Sequence, residues 1–455
     1  MMKIIKSQLI LIAGSIIFAL CSCSSIKKGK PNIVFIIIDD LGWKDVGYMG
    51  STWYETPNID RLARQGMIFT NAYANAANCA PTRACLLSGQ YSPRHGVFTV
   101  AKPDRGDSKN RRLIPIENSR KISPDKITIA EALKPAGYVS AAIGKWHVAD
   151  PPQQRGFDVG LNKYEIGNGY EEGHFNKDSE YLTDRLTREA VEFITKNKDE
   201  PFFLYLAHYA VHTPIQAKEE MIAKYETKDT VGCHNHPTYA AMVESVDESV
   251  GRVMKKLEDL GVADNTVVIF MSDNGGLSTS EGHPTSNVPL RAGKGWLYEG
   301  GIREPMIIKW PGAAKPGSVC SEPVTSTDFY PTMLEMAGLP LKPKQHIDGV
   351  SLVPLLKGKK TLNREAIFWH YPHYGNQGGS PGGAVRAGDY KLIEFYEDNR
   401  VELYDLKKDI SEKNNLAGKM PGKAAGLRRI LQAWRKDVNA QMPTPNPDYA
   451  PAKDT

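Results

Sequence analysis

The chain has 455 residues, enough for two domains or for one large domain with an appendage, and 41% of them are hydrophobic. Its formal net charge is only +5, and two of the contributing positive charges, Lys3 and Lys6, lie in an N-terminal targeting segment. This small, scattered excess gives no support for nucleic-acid binding, and the composition is typical of a soluble globular protein.

Residues 1–23 have the pattern of a secretory signal. Two lysines precede an apolar run from Leu9 to Leu20, which is too short to span a bilayer comfortably. The run ends in "LCSC", which resembles a bacterial lipobox with Cys23 as the lipid-modified N-terminus; cleavage nearby by an ordinary signal peptidase is the alternative. The sequence thus predicts an exported protein, lipid-anchored in the periplasm or outer membrane of a Gram-negative bacterium.

Four later segments have continuous apolar runs typical of buried strands, at residues 31–40, 138–147, 201–214 and 265–276. Helical segments lie between them, at residues 58–65, 128–134, 182–197 and 239–260. Strands that alternate with helices predict an α/β fold, in which helices sandwich a large, mostly parallel sheet.

Each of these strands ends in polar residues that can carry out chemistry. They are Asp39 and Asp40, Lys145 and His147, His212, and Asp273 and Asn274. Ligands bind at the carboxyl ends of parallel strands, so we expect these side chains to meet at one edge of the sheet. The alternation of Lys145 and His147 along a strand end predicts that both point to the same face. Four strand ends of this kind indicate an active site.

The pattern changes near residue 360. The strings "REAIFWHYPHY", "GGAVRAGDYKLIEFY" and "RVELYDLKKD" predict short antiparallel strands separated by turns. A helix follows, and its apolar face is predicted to pack on this sheet through Leu427, Ile430, Leu431, Trp434 and Val438. We therefore divide the chain into the signal segment 1–23, a catalytic domain 24–358 and a C-terminal α+β subdomain 359–455.

The string "CAPTR" at residues 79–83 resembles the signature of the formylglycine-dependent sulfatases, Cys/Ser-x-Pro-x-Arg. Other strings resemble blocks of that family in the family's order: "DDLGWKDVGYMG", "TPNIDRLARQGMIFTNAYA", "GKWH", "HTP", "SDNGG" and "RAGKGWLYEGGIREP". The resemblance implies an alkaline-phosphatase-like fold and the hydrolysis of sulfate monoesters. It also implies that a maturation enzyme converts Cys79 to formylglycine, an aldehyde.

The chemistry of a sulfate ester explains these residue types. Its anionic oxygens repel nucleophiles, so a site must neutralise the sulfate and supply an activated nucleophile. The hydrated aldehyde offers two hydroxyl groups on one carbon. One attacks sulfur and expels the alcohol, and loss of the proton from the other re-forms the aldehyde and releases sulfate. An ordinary serine could not release its sulfate in this way.

The resemblance further implies a bound Ca²⁺, held by Asp39, Asp40, Asp273, Asn274 and the modified Cys79. These four carboxylate and amide side chains offer hard oxygen ligands, which favour Ca²⁺ or Mg²⁺ over zinc. A pair of helix caps or a turn is the alternative for an isolated Asp-Asp at a strand end. The recurrence of acidic and amide groups at a second strand end favours the metal.

The same resemblance implies roles for five further side chains. Arg83, which we place on the first turn of a helix, orients the formylglycine and steadies its charge. Lys145 and Lys294 bind sulfate oxygens. His147 accepts the proton of the second hydroxyl, and His212 contacts sulfate and protonates the leaving oxygen.

The signals for the substrate are less specific. The aromatic and histidine-rich segment 369–379 suits stacking on a sugar ring, so we predict His370, His373 and Arg386 as pocket residues, with ordinary loop packing as the alternative. His95 is a further candidate because it follows the signature closely. A sulfated glycan is the predicted substrate, with 4-O-sulfated galactose or N-acetylgalactosamine favoured, although an aryl sulfate would also fit.

Several alternatives stay open. "CHNHP" at residues 233–237 would need a distant fourth ligand to bind zinc, and a loop facing the substrate is the other interpretation. Cys85 is predicted to be a small apolar filler. For function, the rivals are a phosphonate or phosphate monoester hydrolase that uses the same aldehyde, and a catalytically silent glycan-binding lipoprotein.

Overall fold

The computed structural model describes residues 29–101 and 104–450, so the signal segment and Cys23 lie outside the described residues. The strands in this part are β1 (Asn32–Ile38), β2 (Met67–Tyr73), β3 (Leu113–Ile114), β4 (Val139–Gly144), β5 (Val159–Leu161), β6 (Phe202–Ala207), β7 (Thr266–Ser272), β8 (Arg303–Lys309), β9 (Ser318–Cys320), β10 (Val324–Thr325), β11 (Ile367–Tyr371), β12 (Gly382–Ala387), β13 (Tyr390–Phe395), β14 (Val401–Asp405) and β15 (Thr444–Pro445).

The α-helices of the same residues are α1 (Pro57–Gln65), α2 (Cys79–Ser88), α3 (Ser92–His95), α4 (Ile129–Leu133), α5 (Lys163–Ile166), α6 (Leu182–Lys196), α7 (Glu219–Glu226), α8 (Pro237–Asp259), α9 (Glu299–Ile302), α10 (Phe329–Met336), α11 (Val353–Leu356) and α12 (Pro421–Asp437). Within the described part of the chain, none of the helices has the length and apolarity that a membrane span needs.

The large sheet has nine strands in the described residues, in the order β10-β2-β8-β7-β1-β6-β4-β5, with β9 paired to β2. β1 is parallel to β6 and β7, and β4 is parallel to β5 and β6. β8 runs antiparallel to both of its neighbours. The predicted mixed, mostly parallel sheet is therefore confirmed.

Both faces of this sheet are covered by helices, which is why the strands are continuous apolar runs rather than alternating ones. All seven residues of β1 are buried. Phe35 and its odd-numbered neighbours in β1 join a core with α2, α4 and α10. Ile36 and its even-numbered neighbours join a second core with α1, α6 and α8. The two cores hold the sheet edge rigidly in place.

The C-terminal part is the predicted antiparallel sheet and helix, with β11 to β14 paired in sequence order. Helix α12 buries Leu427, Leu431, Trp434 and Val438 against one face, while Ile430 is only partly buried. The other face packs on Tyr73 and other residues of the larger part. The small sheet is thereby fixed beside the edge where the strands of the large sheet end.

Candidate active site

The polar residues at the strand ends lie together at one edge of the large sheet. Asp39 follows β1, Asp273 follows β7 and Lys145 follows β4. The parallel pairing continues just past the strands, because the Asp273 N–H donates to Ile38 O (3.0 Å) and the Lys145 N–H donates to Ala207 O (2.7 Å). The backbone ladder therefore sets the relative positions of these side chains before any side-chain contact forms.

Cys79 is the first residue of α2 and is completely enclosed. Its Sγ and the nearest carboxylate oxygens of Asp39 and Asp273 lie within 4.8 Å of one another. Burial raises the pKa of the Cys79 thiol to about 11, so the unmodified side chain is a neutral thiol near pH 7. A neutral thiol is a weak nucleophile, and the side chain as encoded is poorly suited to attack an anionic ester.

Two lysines neutralise the paired aspartates. Lys145 Nζ forms a short contact with Asp39 Oδ2, and Lys294 Nζ lies 2.8 Å from Asp40 Oδ2. Burial opposes ionisation of Asp39, yet the surrounding cations, led by Lys145, hold its pKa below the ordinary range. Burial likewise disfavours the Lys294 ammonium, but the charge of Asp40 raises its pKa. Both ammonium groups are thus held as cations beside Cys79.

Arg83 makes the third buried ion pair of this cluster. Its Nε and Nη2 donate to Asp273 Oδ2 at 2.8 and 2.6 Å, and its Nη1 donates to Lys145 O at 2.6 Å. Burial raises the pKa of Asp273 to about 7, against the opposing effect of the Arg83 charge. Because α2 begins at Cys79, Arg83 lies on its second turn, and the prediction of the first turn is wrong.

The structure corrects the geometry predicted for Lys145 and His147. Strand β4 ends at Gly144, and His147 has the left-handed backbone angle φ of 61°. The two side chains therefore do not alternate along a strand, and the prediction that they share a face for that reason is wrong. A turn, rather than the pleat of the sheet, places His147 near the site.

The two histidines predicted for proton transfer are neutral near pH 7. Burial, followed by the charge of Lys145, lowers the pKa of both His147 and His212. His212 Nδ1 lies 2.7 Å from Thr213 O, so its Nε2 faces the site, 3.8 Å from Asp40 Oδ2. Nδ1 of His147 is buried and has no hydrogen-bond partner among the described residues, so it is available to accept a proton.

The oxygen atoms of this edge fit a hard divalent cation. Asp39 Oδ1 and Asn274 Oδ1 are buried without any hydrogen-bond partner among the described residues. Such groups carry a large desolvation cost unless something binds them. Asn274 Nδ2 donates to Asp40 Oδ1 (2.7 Å), so the amide oxygen of Asn274 takes no part in that hydrogen bond. Together with Asp273, these side chains offer the carboxylate and amide oxygens that Ca²⁺ prefers.

Three of the residues that were predicted to bind substrate form hydrogen bonds with other groups of the protein. His95 lies 3.4 Å from Cys85 Sγ through Nε2 and accepts the Val97 N–H through Nδ1. Both nitrogens of His370 also have partners, Tyr396 Oη (2.7 Å) and Gln441 O (2.8 Å). Both rings therefore use their nitrogens within the protein, and the pocket role of each stays a prediction.

For Arg386 and His373 the structure likewise shows contacts within the protein, and the pocket role of Arg386 stays a prediction. The Arg386 guanidinium contacts Tyr73 Oη and Gly388 O, and the side chain is buried between the two parts of the chain. His373 Nδ1 lies 3.4 Å from Asp104 Oδ1, and its ring borders a cavity of about 710 Å³. His373 as a substrate residue stays a prediction.

The "CHNHP" segment is structural in its described contacts. His234 Nε2 lies 3.0 Å from Ser286 O, and His236 accepts the Tyr239 N–H at the start of α8. The groups of three or more metal-ligating side chains found in the described residues do not include them. Cys85 is completely buried, as predicted for a filler, and all the cysteines of the described part are free thiols.

Sequence patterns did not indicate that the C-terminal subdomain contacts the loop that carries Lys294. We call residues 291–298 the Lys294 loop. Trp296 Nε1 in this loop donates to Gln377 O (3.0 Å), and the backbone of Gly379 packs directly on that of Gly295. The C-terminal subdomain therefore holds the segment that carries Lys294, a relationship no local pattern could reveal.

A second such feature is a carboxylate that joins three loops. Glu281 Oε2 accepts from Thr213 Oγ1 (3.2 Å), and its Oε1 accepts from Gln377 Nε2 (2.8 Å). His174 Nε2 lies 3.0 Å from the carbonyl oxygen of His212. These contacts fix the backbone around His212 from two sides.

A cluster of buried cations and carboxylates around one residue at a helix start is the arrangement of an enzyme that acts on anionic esters. Comparison with known proteins agrees. Residues 31–339 match the family model described as Sulfatase, and residues 292–436 match the one described as N-sulphoglucosamine sulphohydrolase, C-terminal. The chain belongs to the sulfatase family, and it is a sulfuric ester hydrolase.

Individual relatives cover most of the chain. A sulfatase of Formosa agariphila is 36% identical over 96% of this chain and 94% of its own length. Human N-acetylgalactosamine-6-sulfatase is 35% identical over 74% of this chain and 68% of its own length. Among solved structures, Ps i-CgsB in complex with k-i-k-neocarrahexaose has a TM-score of 0.76 at 34% identity, covering 90% of this chain and 94% of that one.

Proposed function

We propose that this enzyme removes O-sulfate groups from a glycan, using formylglycine made from Cys79 and a bound Ca²⁺, with sulfated galactose or N-acetylgalactosamine as the favoured substrate. The observation that carries the proposal is the placement of Cys79 at a helix start between three carboxylates and three buried cations. The relatives named for N-acetylgalactosamine-6-sulfate and the structure bound to a neocarrahexaose support the choice of a sulfated sugar.

Asp39, Asp40, Asp273 and Asn274 would hold the metal. Their free oxygens, Asp39 Oδ1 and Asn274 Oδ1, are the atoms that lack partners without it. When bound, Ca²⁺ would supply positive charge against the sulfate and the nucleophile. Formylglycine would supply a hydrated aldehyde, a stronger nucleophile than the protonated thiol and one that can release sulfate afterwards.

The remaining residues prepare the site around these groups. Lys145 and Lys294 are cations already desolvated and fixed, so they can bind sulfate oxygens with little reorganisation. His147 is neutral, and its unpartnered Nδ1 can accept a proton. In the neutral His212 ring the proton is on Nδ1, which donates to Thr213 O, so Nε2 faces the site unprotonated; an anionic sulfate bound there would favour protonation of Nε2, and that proton would then pass to the leaving oxygen.

Maturation and location complete the proposal. A formylglycine-generating enzyme would act on the segment 79–83 before it becomes enclosed, because the folded chain buries all of α2. Export and lipid anchoring through Cys23 are proposed from the N-terminal sequence alone. Export would bring the enzyme to sulfated polymers outside the cytoplasm.

The test is release of sulfate from defined galactose and N-acetylgalactosamine monosulfates, beside 4-nitrophenyl sulfate and 4-nitrophenyl phosphate. We expect sulfate release from at least one sugar and a clear preference for the sulfate over the phosphate of the nitrophenyl pair. Mass spectrometry of the peptide with residue 79 should find formylglycine in the active protein. A dominant phosphatase activity, or full activity with an intact Cys79 thiol, would overturn the proposal.

A further inference from the structure

A cavity of about 360 Å³ adjoins the site on the side of His147. Its wall includes Ala80, the residue after Cys79, together with Trp146, Arg120 and Tyr164. A volume of this size is within the range of small-ligand sites. The cavity therefore borders His147 and the residue that follows Cys79.

The charge at this cavity is mainly positive. Among the described residues that line it there is no aspartate or glutamate, whereas Arg120 carries a guanidinium for which this part of the chain shows no side-chain partner. Lys163 stands at the rim, with its Nζ 5.4 Å from the ring centroids of both Tyr164 and Tyr209. The charge of Glu171 acts on Lys163, whereas no acidic side chain among the described residues lining this cavity opposes Arg120, so the net charge of the three groups is positive and attracts an anionic ligand.

A backbone contact fixes the segment of Arg120, and a hydrogen bond to a carbonyl oxygen fixes the ammonium of Lys163. The Arg120 carbonyl accepts the Ala149 N–H (3.1 Å), which joins this segment to the turn that carries His147. Lys163 Nζ donates to Glu171 O (3.1 Å), and an ammonium has two further hydrogens to donate. Burial, followed by the charge of Lys145, lowers the pKa of Lys163, so the field of the catalytic cations reaches this rim.

An aromatic surface lies beside these charges. Tyr164 is 65% exposed, which is unusual for a large ring in a well-packed protein, and it lines the same cavity. Exposed tyrosines beside polar groups suit contact with the apolar face of a sugar. The adjoining cavity of about 710 Å³ also borders Arg120, but its wall contains Asp104 and Glu117. The first cavity is thus the better place for an anion.

We propose that the cavity beside His147 is a subsite for a second anionic group of the glycan, in addition to the sulfate that is cleaved. Arg120 and Lys163 bind that sulfate or carboxylate, and Tyr164 contacts the sugar ring. This inference rests on the proposed glycan sulfatase function and narrows its substrate to polyanionic glycans. Charge-assisted hydrogen bonds from guanidinium and ammonium groups supply the specificity.

The experiment compares pairs of oligosaccharides that differ by one anionic group on the sugar next to the cleaved sulfate. Carrageenan-type pairs with one or two sulfates test a sulfate, and chondroitin-type pairs with the uronate free or reduced test a carboxylate. For the wild-type enzyme we expect kcat/KM to be about tenfold or more higher for the doubly anionic member of at least one pair. The preference should shrink as salt is added.

The Arg120→Gln, Lys163→Gln double variant should lose that preference through an increased KM. Its kcat/KM for 4-nitrophenyl sulfate should fall far less than its kcat/KM for the doubly anionic sugar, since this probe carries no second anion. Arg120→Lys should retain part of the preference. The matched control is Arg252→Gln, which removes an exposed arginine of α8 that is bound to Asp184 and does not line this cavity.

Two outcomes would overturn the inference: equal kcat/KM for both members of every pair in the wild type, or an unchanged preference in the double variant. Neither touches the proposed function, which requires only that a sulfated sugar be hydrolysed. The proposed function itself fails if nitrophenyl sulfate is turned over while no sulfated sugar is, and the inference then falls with it.

Discussion

Arg83 and Asp273 form a completely buried ion pair in which two guanidinium nitrogens share one carboxylate oxygen, at 2.6 and 2.8 Å. Arg83 lies on the helix that begins with Cys79, and Asp273 follows the central strand β7. The pair therefore locks the nucleophile helix to the edge that carries the proposed metal ligands. The other oxygen of Asp273 stays free of the guanidinium and accepts only a long bond from the Asp40 N–H (3.3 Å).

Breaking this pair should cost stability as well as activity. We expect Arg83→Gln to lower the free energy of unfolding by about 3–5 kcal/mol, because it leaves the buried Asp273 carboxylate without a counter-ion. Denaturant unfolding measures the change. The control is Arg252→Gln, whose exposed pair with Asp184 (3.3 Å) should contribute less than about 1 kcal/mol. Equal effects of the two substitutions would contradict the prediction.

The proposed Ca²⁺ should stabilise the folded chain. At about a hundred times its Kd, Ca²⁺ should raise the free energy of unfolding by about 2.7 kcal/mol, and a chelator should reverse the gain. Thermal unfolding with and without Ca²⁺ measures this. Asn274→Ala should reduce the shift, because it removes a buried oxygen that lacks a partner.

Asp45→Asn is the matched control for the metal prediction. Asp45 is equally buried and nearby, but its oxygens accept from Tyr239 Oη (2.5 Å) and Thr285 Oγ1 (2.7 Å). This variant should keep the Ca²⁺ shift even if it is less stable. A wild-type protein whose unfolding ignores both Ca²⁺ and chelator would refute the assignment.

Substitutions of the two buried cysteines of α2 should have clearly different effects on activity. Cys79→Ala should lower kcat by about 10⁴-fold or more, as expected for a nucleophile. Cys85→Ala should keep most of the activity, since the Cys85 side chain only packs against Ser92 and His95. Sulfate release from 4-nitrophenyl sulfate measures both. Substantial turnover by Cys79→Ala, or its loss in a folded Cys85→Ala protein, would disagree with the proposed roles.

The contact between Gly379 and the Lys294 loop should be sensitive to the addition of a single methyl group at Gly379. A Cβ at Gly379 would collide with the backbone of Gly295, so Gly379→Ala should displace the loop and lower kcat/KM about tenfold or more. Circular dichroism should show that the fold persists. Gly422→Ala, in open space in α12, should leave kcat/KM unchanged and favour its helix by up to about 1 kcal/mol.

Buried His208 should make the protein less stable in acid. Burial lowers the pKa of His208 from 6.5 to about 3, so the folded chain holds this ring neutral while the unfolded chain protonates it below pH 6.5. The unfolded state binds more protons in this window, and stability is lost as the pH falls from 6.5 toward 3. Per pH unit, the wild type should lose up to about 1.4 kcal/mol more than His208→Gln.

Denaturant unfolding of both proteins at pH 5 and pH 6.5 measures this difference. The comparison with His208→Gln isolates one ring from the other titrating groups, whose contributions are common to both proteins. A difference between the two unfolding free energies that does not change with pH would contradict the assigned pKa shift.

The charged cluster at the interface shows contacts that sequence reasoning could not find. Arg386 stands in a segment rich in polar residues and looks available for a ligand. In the fold it contacts Tyr73, beside a buried group in which Lys391 bridges Glu299 and Glu412 at 3.0 Å each. These partners are distant in sequence, so only the packing of the small sheet on the large one brings them together.

The sequence by itself determined the fold class and the participants of the site. Buried parallel strands leave continuous apolar runs, helices leave their own period, and the polar residues after each strand mark its end, as Asp39 and Asp273 show. All of these are local signals. They were sufficient to bring carboxylates and cations together at the edge of a parallel sheet, whereas Cys79 was assigned to that site only by the resemblance of its signature to the sulfatase family.

Only the tertiary structure decided which of these groups face a ligand and which form hydrogen bonds within the protein. His95 and His370 resemble binding residues in the sequence, but both satisfy their nitrogens internally. Arg120 attracts no attention in the sequence, yet in the fold it lines a cavity beside His147, and the described residues show no side-chain partner for its guanidinium. Hydrogen-bond satisfaction depends on contacts between segments far apart in the chain, and no local pattern of residues encodes it.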